Sequence, residues 1–165
     1  MLGDNGISEL SNDELCLHKM TDLQKMRATA KLKVASTLQY TVFGVPSVYY
    51  GDEAGLEGGH DPFCRQPFPW GAEDAGLVEH YKKLGEIRKE NSVFSDGRFK
   101  IIDRSQGFIA FERYNESENL LVVANVGRAS KGCNLGCVVV NLLDGKRYNG
   151  ALSVAPNTAM ILKLV

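Results

Sequence analysis

A dominant charge of either sign is missing from this sequence. Its 165 residues carry 19 Lys and Arg against 20 Asp and Glu, a net charge of −1. No basic footprint points to nucleic acid, and no cationic helix points to a membrane surface. The longest apolar runs fall far short of a transmembrane span. The opening residues, MLGDNGISELSNDEL, lack the basic start and apolar centre of a secretory leader. Cysteine is scarce. Cys16, Cys64, Cys133 and Cys137 follow no disulfide-framework spacing. The single C-x-x-x-C of the last two has no second ligand pair, so no metal centre is expected. No cofactor motif appears either. A reducing, cytoplasmic compartment is the expectation.

Tryptophan occurs once and proline five times. Their clustering is therefore informative. The stretch GGHDPFCRQPFPW, residues 58–70, holds three of the prolines and the tryptophan. No helix or strand tolerates that density of Pro and Gly, so it reads as a long aromatic loop.

What is present suits a globular protein: 44% hydrophobic and 24% charged residues, enough to bury a core. From Met20 to Phe43 the positions Leu23, Met26, Ala30, Val34, Leu38 and Val42 recur at helical steps. Thr21 with Gln24 forms a capping box, and Gly44 suits the stop, giving a helix over 20–43. The run VPSVYY, 45–50, reads as a buried strand with Pro46 near its start. After the loop at 51–74, Asp74 can cap a second helix over 75–91. Leu77, Tyr81, Leu84 and Arg88 share its face, Arg88 marking the edge. From residue 92 on, short β runs alternate with polar turns at 104–107, 115–119 and 144–146. Such spacing predicts an antiparallel sandwich over 96–165.

The stretch GVPSVYYGDEAGLEGGHDPFCRQPFPW, 44–70, resembles the alpha-amylase superfamily of glycoside hydrolases. The resemblance is greatest to its neopullulanase, cyclomaltodextrinase and maltogenic amylase group. It implies that residues 1–92 are the last part of a (β/α)8 barrel, with 45–50 as the eighth strand, followed by the β domain. Barrel active sites lie at the C-terminal ends of the strands, so 51–74 would lie over a sugar cleft. By the same resemblance Asp61 and Arg65 contact glucose hydroxyls, as a carboxylate acceptor and a guanidinium donor fork do well. On the residues alone, the two could equally be an i,i+4 surface ion pair. Tyr50, Gly51, Asp52 and Glu53 form the strand-end signature, with Glu53 bracing neighbouring loops. Tyr49 and Tyr50 are expected on opposite sides of the strand, as are Asp52 and Glu53.

Retaining cleavage needs two carboxyl groups about 5–5.5 Å apart across the bond. The family's strand-four Gly-x-Arg-x-Asp element and strand-five Glu are absent from this sequence, and His60–Asp61 only mimics its strand-seven His-Asp pair. No residue here is assigned a catalytic role. The expectation is a C-terminal fragment of an enzyme acting on alpha-1,4-glucans or oligosaccharides, inactive alone. Two alternatives stand beside it: a carbohydrate-binding module, using Phe99, Phe108, Phe111, Tyr114 and Tyr148, or an interaction subunit. The partnerless strand at 45–50 also predicts self-association.

Overall fold

The computed structural model describes residues 11, 14, 19–59 and 61–165. Cys16 and His60, both weighed above, lie outside the described residues. Helix α1 spans Asp22–Thr41 and helix α2 spans Ala75–Glu90. A 3-10 turn at Ser92–Phe94 leads into six strands: β1 (Arg98–Ser105), β2 (Phe108–Tyr114), β3 (Asn119–Asn125), β4 (Lys131–Asn141), β5 (Arg147–Val154) and β6 (Thr158–Leu164). Among the described residues no helix is long and apolar enough to cross a membrane.

Both helices start where their local chemistry dictates. The Thr21 amide donates to Gln24 Oε1 at 2.9 Å and the Gln24 amide returns a bond to Thr21 Oγ1 at 3.3 Å. This is the reciprocal capping box. Gly44 follows α1 at φ +96°, a left-handed stop that favours glycine. Asp74 Oδ1 accepts the Leu77 amide at 3.0 Å, the N-cap bond of α2.

The chain divides into two compact units. The first holds residues 1–29 and 47–79, and the second holds 30–46 and 80–165. In the first, Ala54 and Leu77 are buried. The Asp74 amide reaches the Ala54 carbonyl at 2.9 Å and so ties the loop to the start of α2. Leu23 and Met26, read as core positions, are 51% and 62% exposed. Of the expected apolar stripe on α1, Val34 is buried and Leu38 and Val42 pack on a core, all within the second unit.

Residues 45–50 are not a strand. A strand exists only by pairing, and no described segment forms a ladder with this one. Val45 is 92% exposed, and Tyr49 opens a turn in which Asp52 N bonds Tyr49 O. Local β propensity has no partner here to act through.

The second unit is built on one antiparallel sheet in the order β1-β2-β3-β6-β4-β5. Two facing sheets were expected, but the eleven-residue β4 joins the halves by pairing with both β5 and β6. A register shift between Asn134 and Val138 lets this long strand bend. The sheet curls, so one face packs on itself: Phe108 and Ala110 of β2 meet Leu152 and Val154 of β5 in one cluster. The opposite face carries Phe111, Leu120, Val122 and Ile161, which pack with Leu84 and Ile87 of α2 and with Val93 and Phe94.

Candidate functional site

The loop after residue 50 is built on a glycine. Gly51 sits at φ +93°. A Cβ there would lie 2.8 Å from Leu56 Cδ2, which no ordinary packing tolerates. Around it the backbone turns tightly: Ala54 N and Leu56 N both bond the Gly51 carbonyl, at 3.1 and 2.9 Å. Glu53 Oε2 accepts the Gly51 amide at 2.9 Å. This oxygen of Glu53, the residue expected to brace neighbouring loops, closes its own turn. Asp52 and Glu53 lie in this turn rather than at a strand end. Burial, with the Glu53 charge beside it, pushes the Asp52 carboxyl above the usual carboxylate range.

Because no strand forms, the alternation expected of Tyr49 and Tyr50 does not hold. Their rings are neighbours, with centroids 4.9 Å apart at 38°. The Tyr50 hydroxyl donates to the Gln66 carbonyl at 3.0 Å and so pins the far arm of the loop. The Tyr49 hydroxyl meets Cys64 Sγ at 3.9 Å, and that thiol lies 3.8 Å from Asp61 Oδ1. Gly58 lets the two arms approach, since a Cβ there would stand 3.1 Å from Cys64 Cα. A small hollow of about 220 Å³ results, lined by both tyrosines, Asp52, Leu56 and Cys64. The Phe68 and Trp70 rings meet at a tilt of 50° with centroids 4.6 Å apart, and Trp70 is 84% exposed.

Asp61 and Arg65 come together. Arg65 Nε donates to Asp61 Oδ1 at 2.7 Å, with the two side chains 67% and 64% exposed. The Arg65 amide bonds the Pro62 carbonyl at 3.0 Å, so the pair rides on one tight turn. Among the described residues, Asp61 Oδ2 and the two terminal nitrogens of Arg65 have no protein partner. The surface ion pair exists, therefore, yet it spends only one edge of each group. The outer edges present a fixed acceptor beside a fixed donor fork.

The sequence reading passed over Cys64 as a link between Tyr49 and Asp61. Its only signal was its place between Asp61 and Arg65.

No protein-family model matches the chain. Known proteins do. It is 33% identical over 141 residues to the cyclomaltodextrinase of Thermoanaerobacter pseudethanolicus, covering 81% of this chain. With the amylopullulanase of Thermoanaerobacter thermohydrosulfuricus it shares 45% identity over 140 residues, 73% of this chain. The chain belongs to the alpha-amylase family of glycoside hydrolases. Solved alpha-amylase family structures agree. An Anoxybacillus alpha-amylase superposes with a TM-score of 0.77 at 26% identity, covering 82% of this chain and 32% of that one. The maltogenic amylase of S. marinus gives 0.72 at 29% identity, covering 81% of this chain and 19% of its own. The chain spans 25% of the cyclomaltodextrinase and 9% of the amylopullulanase.

Proposed function

We propose that the chain is the C-terminal portion of an alpha-amylase family enzyme that hydrolyses or transfers alpha-1,4-glucosidic bonds in maltodextrins, cyclodextrins or pullulan. Residues 1–92 supply the last part of the catalytic barrel and 96–165 the β domain. The substrate range follows the relatives, whose names are cyclomaltodextrinase, amylopullulanase and neopullulanase. A cytoplasmic setting rests on cysteine usage alone.

The observation that carries this reading is the Asp61–Arg65 pair. A glucose ring presents adjacent hydroxyls that each donate and accept. A carboxylate oxygen and a guanidinium edge, locked side by side at 2.7 Å and facing out, complement two such hydroxyls. Pre-orientation matters because neither group must give up rotamer freedom when sugar arrives. Tyr50, Gly51 and Glu53 act one step back: they set the turn from which the loop departs. In an intact enzyme carrying this loop, Asp61→Ala and Arg65→Ala should each lower kcat/KM on maltooligosaccharides by about 1–3 kcal/mol, roughly five- to two-hundred-fold. The melting temperature should hold, since the pair is exposed and contributes little to stability. Unchanged kinetics in both variants would leave only a surface ion pair.

The carbohydrate-binding module draws less support, because the row of exposed aromatics it needs is spent elsewhere. Phe108 and Phe111 are buried, Phe99 stacks on Phe111 with centroids 4.6 Å apart, and Tyr148 packs on the sheet core.

A further inference from the structure

Tyr114 is the aromatic of that set without a place in either core cluster. It ends β2 half-buried and lines an open cleft of about 650 Å³, within the size range of small-molecule sites. Its cross-strand partner in the β1–β2 ladder is Arg98. Directly opposed residues of an antiparallel pair share a face, so ring and guanidinium rise from the same side of the sheet.

The adjoining turn is stiff. Asn115 Nδ2 donates to Ser92 Oγ at 3.0 Å and to Asp96 Oδ1 at 3.1 Å. Its Oδ1 accepts the Ser117 and Glu118 amides at 2.9 and 2.8 Å. Both ends of the amide are committed, which fixes the wall of the cleft. By contrast Arg98 and Glu116 are exposed, and among the described residues neither side chain has an ion-pair or hydrogen-bond partner. The cleft therefore offers an unspent donor fork, an unspent carboxylate, the second oxygen of Asp96 and an aromatic ring on a braced frame.

That combination selects by chemistry. An anion would meet Asp96 and Glu116, and a small cation would meet Arg98. A neutral polyol meets no such conflict, because each hydroxyl both donates and accepts, and the C–H face of a pyranose stacks on a phenol ring. We propose that the cleft at the β1–β2 end of the sheet is a second saccharide site, for a neutral oligosaccharide of one or two bound rings. Tyr114 supplies the stacking face, and Arg98, Glu116 and Asp96 read hydroxyls. Only the choice of an alpha-1,4 probe rests on the function proposed above.

The test is titration of the full chain with maltotriose, and separately with cellotriose and inorganic phosphate, followed by amide NMR shifts. Saturable shifts of Asp96, Arg98, Asn115 and Glu116 with either sugar, in the millimolar range, are expected. Arg98→Ala and Glu116→Gln should each weaken binding about fivefold or more, and Tyr114→Ala about tenfold. The first two are exposed, so misfolding of the Tyr114 variant would not obscure the result. The proposal is overturned if these amides do not shift with either sugar, if only phosphate shifts them, or if binding survives all three substitutions. Shifts confined to residues 61–65 would overturn it too while supporting the loop as a sugar contact. Loss of sugar contact at that loop alone would leave the cleft result standing.

Discussion

The guanidinium of Arg113 donates to the carbonyl of Thr41 at 2.7 Å, a bond across 72 positions of sequence, from strand β2 to the last residue of α1. Arg113 is fully buried, and among the described residues no carboxylate forms an ion pair with it, though the Asp96 charge acts on it from a distance. Its other nitrogen reaches the Val93 and Gly97 carbonyls at 2.7 and 3.1 Å, and its Cζ lies over the Phe43 ring, 4.6 Å from the centroid. Arg88 Nη1 adds a bond to the Tyr40 carbonyl at 2.6 Å, and its Nη2 takes that of Gly44. Two cations thus take the Tyr40 and Thr41 carbonyls at the helix C-terminus, where the macrodipole is negative. Burial, with the Arg88 charge nearby, pushes the Arg113 pKa down from its usual value, yet a guanidinium starts so high that it stays charged.

Arg113→Leu should therefore destabilise far more than a typical surface change. It leaves the Thr41 and Gly97 carbonyls without this donor, and Val93 with only the Gly97 amide, a loss of about 3 kcal/mol. Arg113→Lys should recover only part of that, because a point ammonium cannot span three acceptors as a fork does. Urea unfolding of both variants measures the difference. Equal stability of Arg113→Leu and the parent chain would refute the clamp.

His80 makes stability pH-dependent. Its Nε2 lies 3.1 Å from Ser36 Oγ, whose own hydrogen is directed to the Leu32 carbonyl at 2.8 Å. Burial first, then the Lys33 charge, lowers the His80 pKa to about 4. The folded pKa lies below the ordinary value of about 6.5, so the unfolded chain binds the proton more readily. Stability from this group is present above about pH 6.5 and drains away as pH falls toward 4. His80→Gln should flatten the melting temperature across that window while changing it little at neutral pH. A variant whose profile tracks the parent would show that other groups set the slope.

Asp74→Ala removes the N-cap of α2 and the bond to the Leu77 amide. A loss of about 1 kcal/mol is expected from denaturant unfolding, with Asp74→Asn retaining most of it. Full stability of the alanine variant would mean that the amide finds another acceptor.

What could be read from sequence divides by distance along the chain. The Thr21–Gln24 box and the Asp74 cap are legible because each closes within three residues. The polar turn at 144–146 is legible for the same reason: Gly145 takes φ +72°. The roles of Arg88 and Arg113 are not, since their acceptors lie tens of residues away. Arg88 read as the edge of a stripe because periodicity sees faces, not partners. VPSVYY read as a strand because propensity is local and a ladder is not. The succession of short β runs was visible, but not that β4 would bridge the sheet halves. At the candidate site, Asp61 and Arg65 were visible as an i,i+4 pair. Which edges stay open needed coordinates.

The isolated chain should release no reducing sugar from maltodextrin, cyclodextrin or pullulan. Retaining chemistry requires two carboxyl groups set across the bond, and the family's strand-four and strand-five carboxylates are absent from this sequence. Activity above a protein-free control, lost on mutating Asp52, Glu53 or Asp61, would contradict this.

The last expectation is self-association. Val45 is almost fully exposed, Val48, Tyr49 and Tyr50 are well exposed, and on α1 so are Leu23 and Met26. In the proposed parent these side chains would be covered by the rest of the barrel. Here water covers them, at about 25 cal/mol for each Å² of apolar surface. A second copy carries the same surface and can bury it against its own, the self-complementary arrangement of a two-fold dimer. An unpaired β-branched run also invites pairing between copies. We therefore propose that the chain self-associates through residues 20–91. Val48→Lys places a charge in the middle of that run and should shift the population toward monomer, with little effect on folding because Val48 is already exposed. Light scattering at micromolar concentration decides it. A monodisperse monomer in the parent chain, unaltered by Val48→Lys, would sink the idea.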